Sequence, residues 1–260
     1  MGFSAEWLAL RDPADRAARD VALLQRAATA AGPAPLVVDL GCGTGATWHA
    51  LAPLLPEDTR WRLVDNDPAL LDIARAVVGE AAECIVADLG DLDALPLEGA
   101  TLITASALLD LMPEAWLSGL AQRLEAPFYA ALSYDGRMEW TRPDPRDDAV
   151  TAAFNLHQRS DKGLGPALGP DAVDRAEALF AAQGFSVFRA ESPWRLGPDM
   201  AELQHELTRG IAVAACETGM ADAESWQRDR HEAADRSSCI VGHADFLAVP
   251  PVRPRETAHV

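Results

Sequence analysis

The stretch VVDLGCGTG, Val37 to Gly45, sets three glycines and an aspartate directly behind a short apolar run. Such a run reads as a buried strand, and glycines follow where the chain must turn tightly into a helix. Gly41, Gly43 and Ala46 satisfy the G-x-G-x-x-G/A spacing of a dinucleotide-binding turn, and Asp65 ends the next apolar run, where a ribose-binding acid is expected. The same spacing also serves a glycine-rich turn without a ligand, so its surroundings must decide.

Outward from the turn, WRLVD (61–65), ECIVAD (83–88), ATLITAS (100–106) and PFYAALSY (127–134) read as strands. ATWHALAPLL (46–55), a helix opened by Asp67-Pro68, and PEAWLSGLAQRL (113–124) read as helices between them. This alternation predicts a doubly wound, mostly parallel sheet with helices on both faces, because parallel strands need crossovers. Before it, Asp12-Pro13 reads as a cap and first-turn proline opening one N-terminal helix that runs to Gly32-Pro33. After it, residues 142–170 are rich in Pro, Gly and charge, and predict a long irregular lid. A helix over 171–183, a strand in FSVFRAES, helical stretches over 198–217 and 222–236, and a last strand in CIVGHADFLAVP (239–250) complete the pattern. The expectation is seven strands in one domain over 1–250, comprising a helical cap (1–35), a cofactor-binding half (36–134) and an acceptor-side half (135–250). A frayed tail over 251–260 follows.

Composition narrows the partners. Asp and Glu number 40 against 22 Lys and Arg, and the net charge of -18 repels nucleic acid and anionic lipid. The four cysteines, 42, 84, 216 and 239, lack the spacing of a zinc site or a disulfide framework, so no metal is expected. MGFSAEWLALRDPADRAARD has no apolar signal core and no run is long enough to span a bilayer, which predicts a soluble, cytoplasmic monomer or homodimer.

Three features bear on the ligand. Asp39 ends the first strand, where it can receive a cationic amine and would repel a pyrophosphate. Asp88 ends the third strand, so Asp39, Asp65 and Asp88 are expected in a row along the crevice. A Tyr-x-x-x-Lys pair for hydride chemistry is missing, and the single lysine, Lys162, lies in the 142–170 segment.

VVDLGCGTG, then LVDNDPALL, then IVADLGDL resembles the first three motifs of the class I S-adenosylmethionine-dependent methyltransferases, over roughly residues 36 to 134. The resemblance implies a Rossmann-like sheet that binds S-adenosyl-L-methionine and releases S-adenosyl-L-homocysteine. It implies that Gly41, Cys42, Gly43 and Gly45 let the backbone approach the methionine part, with Asp39 helping to place its amine. Asp65 matches the acid that binds the ribose hydroxyls and Asp88 the acid that meets the adenine amine, with Asn66 and Leu89 beside them. The nucleic-acid methylases of the family carry an Asn- or Asp-Pro-Pro-aromatic run after the fourth strand, or a Pro-Cys nucleophile. SALLDLMP stands at that place here.

Position supplies the remaining candidates. Ser106 follows the fourth strand on the cofactor side, and Asp110 lies beyond it toward the acceptor. Tyr134, His157 and His205 are candidate bases, histidine being the side chain best suited to proton transfer near neutrality. Trp7, Arg11, Arg159 and Lys162 are candidates for holding the acceptor. The N-terminal helix and the helical insertion before the last strand form walls for a small pocket, which favours methyl transfer to oxygen or nitrogen of a small molecule. A catalytically inactive cofactor-binding regulator and a nicotinamide-dependent oxidoreductase are the alternatives.

Overall fold

The computed structural model describes residues 3–79 and 82–251. Ser4 opens the first helix, α1 (Ala5–Ala18), by accepting a hydrogen bond from the Trp7 N–H. Asp20 opens the second, α2 (Val21–Ala30), by accepting from the Leu23 N–H at 2.7 Å. Two helices therefore stand where the sequence predicts one. Pro13 lies inside α1 because Ser4 supplies the cap, and the extended backbone of Arg19 and Asp20 makes a corner between the pair.

The sheet strands are β1 (Leu36–Leu40), β2 (Arg60–Asp65), β3 (Ala82–Val86), β4 (Leu102–Ser106), β5 (Phe128–Trp140), β6 (Ser186–Glu191), β7 (Trp194–Leu196) and β8 (Cys239–Val249). They run in the order β3-β2-β1-β4-β5-β8-β6, with the short β7 also paired to β8. The pairs from β3 through to β5 are parallel, and β8 is antiparallel to all of its neighbours. Because the chain leaves β1 toward β2 and later returns to β4, the crevice of the sheet opens between the carboxyl ends of β1 and β4.

Alternate residues of each strand go to opposite layers. Val38, Leu40, Ile103 and Phe128 pack with α5 (Glu114–Arg123) and α7 (Ala172–Ala182). Val37, Leu63, Leu102 and Tyr129 pack with α2, α3 (Ala46–Leu51) and α4 (Pro68–Val78). A third cluster, around Trp140, Trp194 and Trp226, joins the outer part of β5 to α8 (Ala201–Glu217) and α9 (Ala223–Ala233).

Two sequence expectations give way here. The fifth strand, expected over 127–134, runs further: Gly136 at φ +90° and two register shifts let it bend and continue to Trp140 beside β8. The expected irregular lid contains α6 (Asp147–Gln158), whose acidic first turn suits the positive helix N-terminus and which packs against α8 through a side bearing Val150, Ala153 and Phe154. The eighth strand, β7, was hidden in a stretch too short to read as one. Of the expected frayed tail, all but Pro251 lies outside the described residues.

Candidate functional site

The glycine turn is rigidly built. Gly41, Gly43 and Gly45 have φ of +65°, +54° and +95°, values that favour glycine. The Gly41 and Cys42 N–H groups both donate to the Val64 carbonyl, at 2.8 and 3.1 Å, which fastens the turn to the end of β2. Asp65 finishes the job: its Oδ2 accepts from the Gly43 N–H at 2.9 Å and its Oδ1 from the Asp67 N–H at 3.0 Å. A carboxylate has further lone pairs, so these bonds leave it able to accept from a ligand hydroxyl.

Asp39 faces Thr104 across the crevice in the parallel register of β1 and β4 and is fully buried. The Thr104 hydroxyl donates to its Oδ1 at 2.7 Å, whereas its Oδ2 has no partner. Burial pushes the carboxyl up to about 6, with Thr104 and the charge of Arg19 acting in the opposite direction. Asp88 and Asn66 are exposed at the ends of their strands; Asp88 accepts from the Gly90 N–H at 2.8 Å, and Leu89 is held through its carbonyl by the Trp116 indole N–H.

Leucines crowd the turn. A Cβ on Gly43 would stand 3.2 Å from Leu8 Cδ1, and one on Gly41 about as close to Leu108 and Leu89, at 3.5 and 3.6 Å. The cavity that remains is about 50 Å³, lined by Leu8, Arg11, Asp15, Gly41, Gly43 and Ser106 among others. That is room for a water or two; small-molecule sites are about 300–1,000 Å³.

Beyond the turn, the strand ends carry strain. Ala107, just after β4, and Leu132, at the first register shift within β5, have φ of +49° and +57° although neither is a glycine. Their positions are fixed by Ala107 N–H donating to Ala131 O and Leu132 N–H donating to Asp245 Oδ1 at 2.9 Å. Such outliers concentrate at functional sites.

Residues 37–127 match the family model described as a methyltransferase domain. Those residues carry the likeness to a methyltransferase domain. Among solved structures, a provisionally assigned methyltransferase of Bacillus halodurans C-125 aligns over 90% of this chain and 99% of its own, at 16% identity and a TM-score of 0.53. The cyclopropane synthase MmaA2 of Mycobacterium tuberculosis aligns over 95% and 94%, at 13% identity and 0.53. A methyltransferase of Haloferax volcanii, also provisionally assigned and solved in complex with the activator Trm112, aligns over 96% and 95%, at 17% identity and 0.53. At these identities the likeness is one of fold. No curated protein matches the chain.

The structure separates the remaining sequence candidates. Trp7 and Arg11 come together at Trp194, the ring of Trp7 6.5 Å from its ring and the Arg11 guanidinium 4.8 Å from it, and Arg11 also lines the cavity at the turn. Arg11 is held by Asp15 through two hydrogen bonds, of 2.8 and 3.1 Å. Asp110 is buried on the turn after β4, its Oδ1 unpartnered and its carboxyl raised to about 6 by burial. The Tyr134 hydroxyl donates to Asn155 Oδ1 at 2.8 Å, and burial drives its ionisation upward, which makes it a poor base.

His157, Arg159 and His205 are not brought to the strand ends. His157 sits on the last turn of α6 with Nε2 2.9 Å from Glu217 of α8, because residues 147–158 are helical and His157 shares the face of Val150 and Phe154 that meets that helix. Arg159 pairs with Asp171 at 2.9 Å. The His205 ring stacks on His231 of α9 at 4.4 Å. Lys162 donates to the His157 carbonyl at 3.0 Å and lies near enough to feel the charges of Glu217 and Asp110.

His243 of β8 was missed. It is buried, 5.0 Å from the Trp194 ring and 6.1 Å from Tyr134. Its Nδ1 lies 3.0 Å from the Val241 carbonyl, which can only accept, so Nδ1 carries the proton and Nε2 keeps its lone pair. Burial and the charge of Arg11 lower its pKa to about 4. No local signal marks it, since β8 reaches the site only by antiparallel pairing with β5. Among the described residues no group of His, Cys, Asp and Glu is placed to hold a metal ion, and no helix is long and apolar enough to cross a membrane.

Proposed function

We propose that the domain uses S-adenosyl-L-methionine to methylate an oxygen or nitrogen atom of a small molecule. The single observation that carries this is the turn from Gly41 to Gly45, locked by Asp65 and set beside an unpartnered oxygen of buried Asp39. Those residues suit an amino-acid-bearing nucleoside: a positive-φ turn for close backbone approach, a carboxylate for its ammonium group, and Asp65 and Asp88 for ribose and adenine. When bound, the sulfonium supplies an already activated methyl group, transferred in line to the acceptor's lone pair.

The protein's part is then to orient the acceptor, exclude water and take a proton where the acceptor carries one. His243 replaces His157 as the candidate base, since it is neutral at pH 7 with Nε2 unprotonated. Arg11, Asp110, Tyr134 and Trp194 share its surroundings and are the candidates for holding the acceptor. The strong negative charge and the walls contributed by α1, α6 and α8 favour a small acceptor over a polyanion.

Calorimetry on the full chain tests the cofactor. S-adenosylmethionine and S-adenosylhomocysteine should bind at micromolar levels while NAD and NADP do not; tight NAD binding with no response to the first pair would overturn the proposal. For the acceptor, transfer of labelled methyl to a small-molecule pool should exceed transfer to protein or nucleic acid.

A further inference from the structure

Five carboxylates are buried among the described residues: Asp15, Asp39, Asp65, Asp110 and Asp245. Three have partners on both oxygens. Asp15 accepts from Arg11 and the Trp194 indole N–H, Asp65 from the Gly43 and Asp67 N–H groups, and Asp245 from the Asp20 N–H, the Tyr129 hydroxyl and the Leu132 N–H. Asp39 and Asp110 each keep one oxygen unpartnered. The cofactor's ammonium group accounts for Asp39, which leaves Asp110 Oδ1 without a role. An unmet buried polar atom is costly, and this one calls for a donor from a ligand.

Asp110 is 6% exposed and lies in the single helical turn Leu109–Leu111 after β4, fixed by Leu109 and Met112 in the core. Neither nearby cation neutralises it. Arg11 is paired with Asp15 through two hydrogen bonds, and the Lys162 ammonium donates to the His157 carbonyl. Burial raises the Asp110 carboxyl to about 6, and the backbone N–H groups of Asp110 and Tyr134 and the charges of Arg11 and Lys162 offset this only in part. At pH 7 it is mostly ionised. Tyr134 stands opposite His243 in the pairing of β5 with β8, their rings 6.1 Å apart. Arg11, whose charge acts on both Asp110 and His243, also lines the cavity at the glycine turn, and so ties these two groups to the cofactor end of the crevice.

We propose that the methyl acceptor is a primary or secondary amine, one N–H of which is received by Asp110 Oδ1. This rests on the methyl-transfer reading above and narrows the acceptor atom from oxygen or nitrogen to nitrogen. The amine's lone pair forms the N–C bond, the C–S bond breaks with its electron pair going to sulfur, and the positive charge passes from sulfur to nitrogen. No proton has to move. A carboxylate fixed at the nitrogen stabilises that transition state, because positive charge grows beside it. A hydroxyl acceptor would have to give up a proton during attack, and the bases at hand do not suit it: burial lowers His243 to about 4, whereas a phenol ionises at about 10. A tertiary amine has no N–H for Asp110, so methylation stops there and forms no quaternary product.

The test uses the full chain, S-adenosylmethionine with a labelled methyl group, and a low-molecular-weight extract of the source organism's cells, half of it treated with N-hydroxysuccinimidyl acetate to acylate primary and secondary amines. Wild type should label the untreated half, and acylation should reduce the label at least tenfold. The labelled product should bind a cation exchanger at pH 7 and include no quaternary ammonium. Label that survives acylation, or a labelled quaternary product, overturns the amine assignment and leaves small-molecule methyl transfer standing. Absence of label from both halves while calorimetry shows S-adenosylhomocysteine bound overturns the small-molecule reading, and failure of that ligand to bind overturns the cofactor reading; either takes the amine assignment with it. Asp110→Asn should cut labelling of the untreated half at least tenfold while S-adenosylhomocysteine affinity stays within twofold of wild type, and undiminished labelling removes Asp110 from the acceptor site. Should circular dichroism show that variant to be unfolded, Asp110→Ser replaces it with the same expected loss and the same overturning result.

Discussion

Asp65→Asn separates the structural duty of this carboxylate from any duty toward a ligand. In the folded chain Asp65 is 8% exposed and accepts two backbone N–H bonds, from Gly43 at 2.9 Å and Asp67 at 3.0 Å. An asparagine has one acceptor oxygen, so whichever N–H keeps it, the other faces an NH₂ donor. The bond that remains falls from charge-assisted to neutral, about half as strong. With hydrogen bonds to charged groups worth about 1.5–3 kcal/mol, the substitution should cost about 2–4 kcal/mol in the absence of any cofactor. For a chain of this size that is a fall in Tm of about 2–4 °C for each kcal/mol. Urea titration followed by both circular dichroism and tryptophan fluorescence reads the effect as a lower midpoint with unchanged slope. A variant within about 0.5 kcal/mol of wild type, the scale of an ordinary surface substitution, would show that Asp65 does not pin the turn.

Gly43→Val should abolish calorimetric binding of S-adenosylhomocysteine while the far-ultraviolet spectrum stays native, because φ there is +54° and the new Cβ meets Leu8 at 3.2 Å; retained affinity would mean that the turn is not the cofactor's cradle. His157→Ala should leave cofactor affinity unchanged and cost less than about 1 kcal/mol, since its partner Glu217 is well exposed. A large loss of binding there would restore this residue to the site. Asp39, raised by burial to about 6 from 3.8, contributes stability that is full below its unfolded value and lost as pH rises through about 6. Cofactor affinity should move the other way, increasing through the same window as the carboxylate becomes able to hold an ammonium. Asp39→Asn should flatten both profiles between pH 4 and 7, and an unchanged affinity profile would remove Asp39 from the binding site.

The cofactor half was legible because local chemistry dictates it. Apolar runs of strand length, glycines at obligatory positive φ and aspartates at strand ends occupy consecutive positions, so the run before the glycines emerges as β1 over residues 36–40. The acceptor side was not legible, for reasons that are equally physical. His243 and Asp245 are placed by the pairing of β8 with β5, strands more than a hundred residues apart. Arg19 looks like one of several surface arginines on an N-terminal helix until the corner at Asp20 turns it toward Ser106. The 142–170 segment misled because proline and glycine mark its two ends, while the charged positions Asp147 and Asp148 between them stabilise a helix start instead of signalling a loop.

The crowding at the glycine turn bears on how a nucleoside-sized ligand could enter. Leu8 and Leu108 lie against the turn, and the remaining cavity of about 50 Å³ is far below the roughly 300–1,000 Å³ of small-molecule sites. Leu108 is on the short connection after β4, whose backbone is fixed to β5 through Ala107 and Ala131. Leu8 is on α1, and the two N-terminal helices are attached very differently. Buried on α2 are Leu23, Leu24, Ala27 and Ala28, all in the sheet's core; on α1 the buried residues are Arg11, Ala14 and Asp15. Lifting α2 would therefore expose core apolar surface at about 25 cal/mol for each Å², whereas lifting α1 would break the bond from the Trp194 indole N–H to Asp15 and uncover Ala14 with the partly buried Trp7 and Leu10, the Arg11–Asp15 pair staying within the helix. The apolar anchorage of α2 in the sheet's core exceeds that of α1, so of the two N-terminal helices α1 is the less costly to displace.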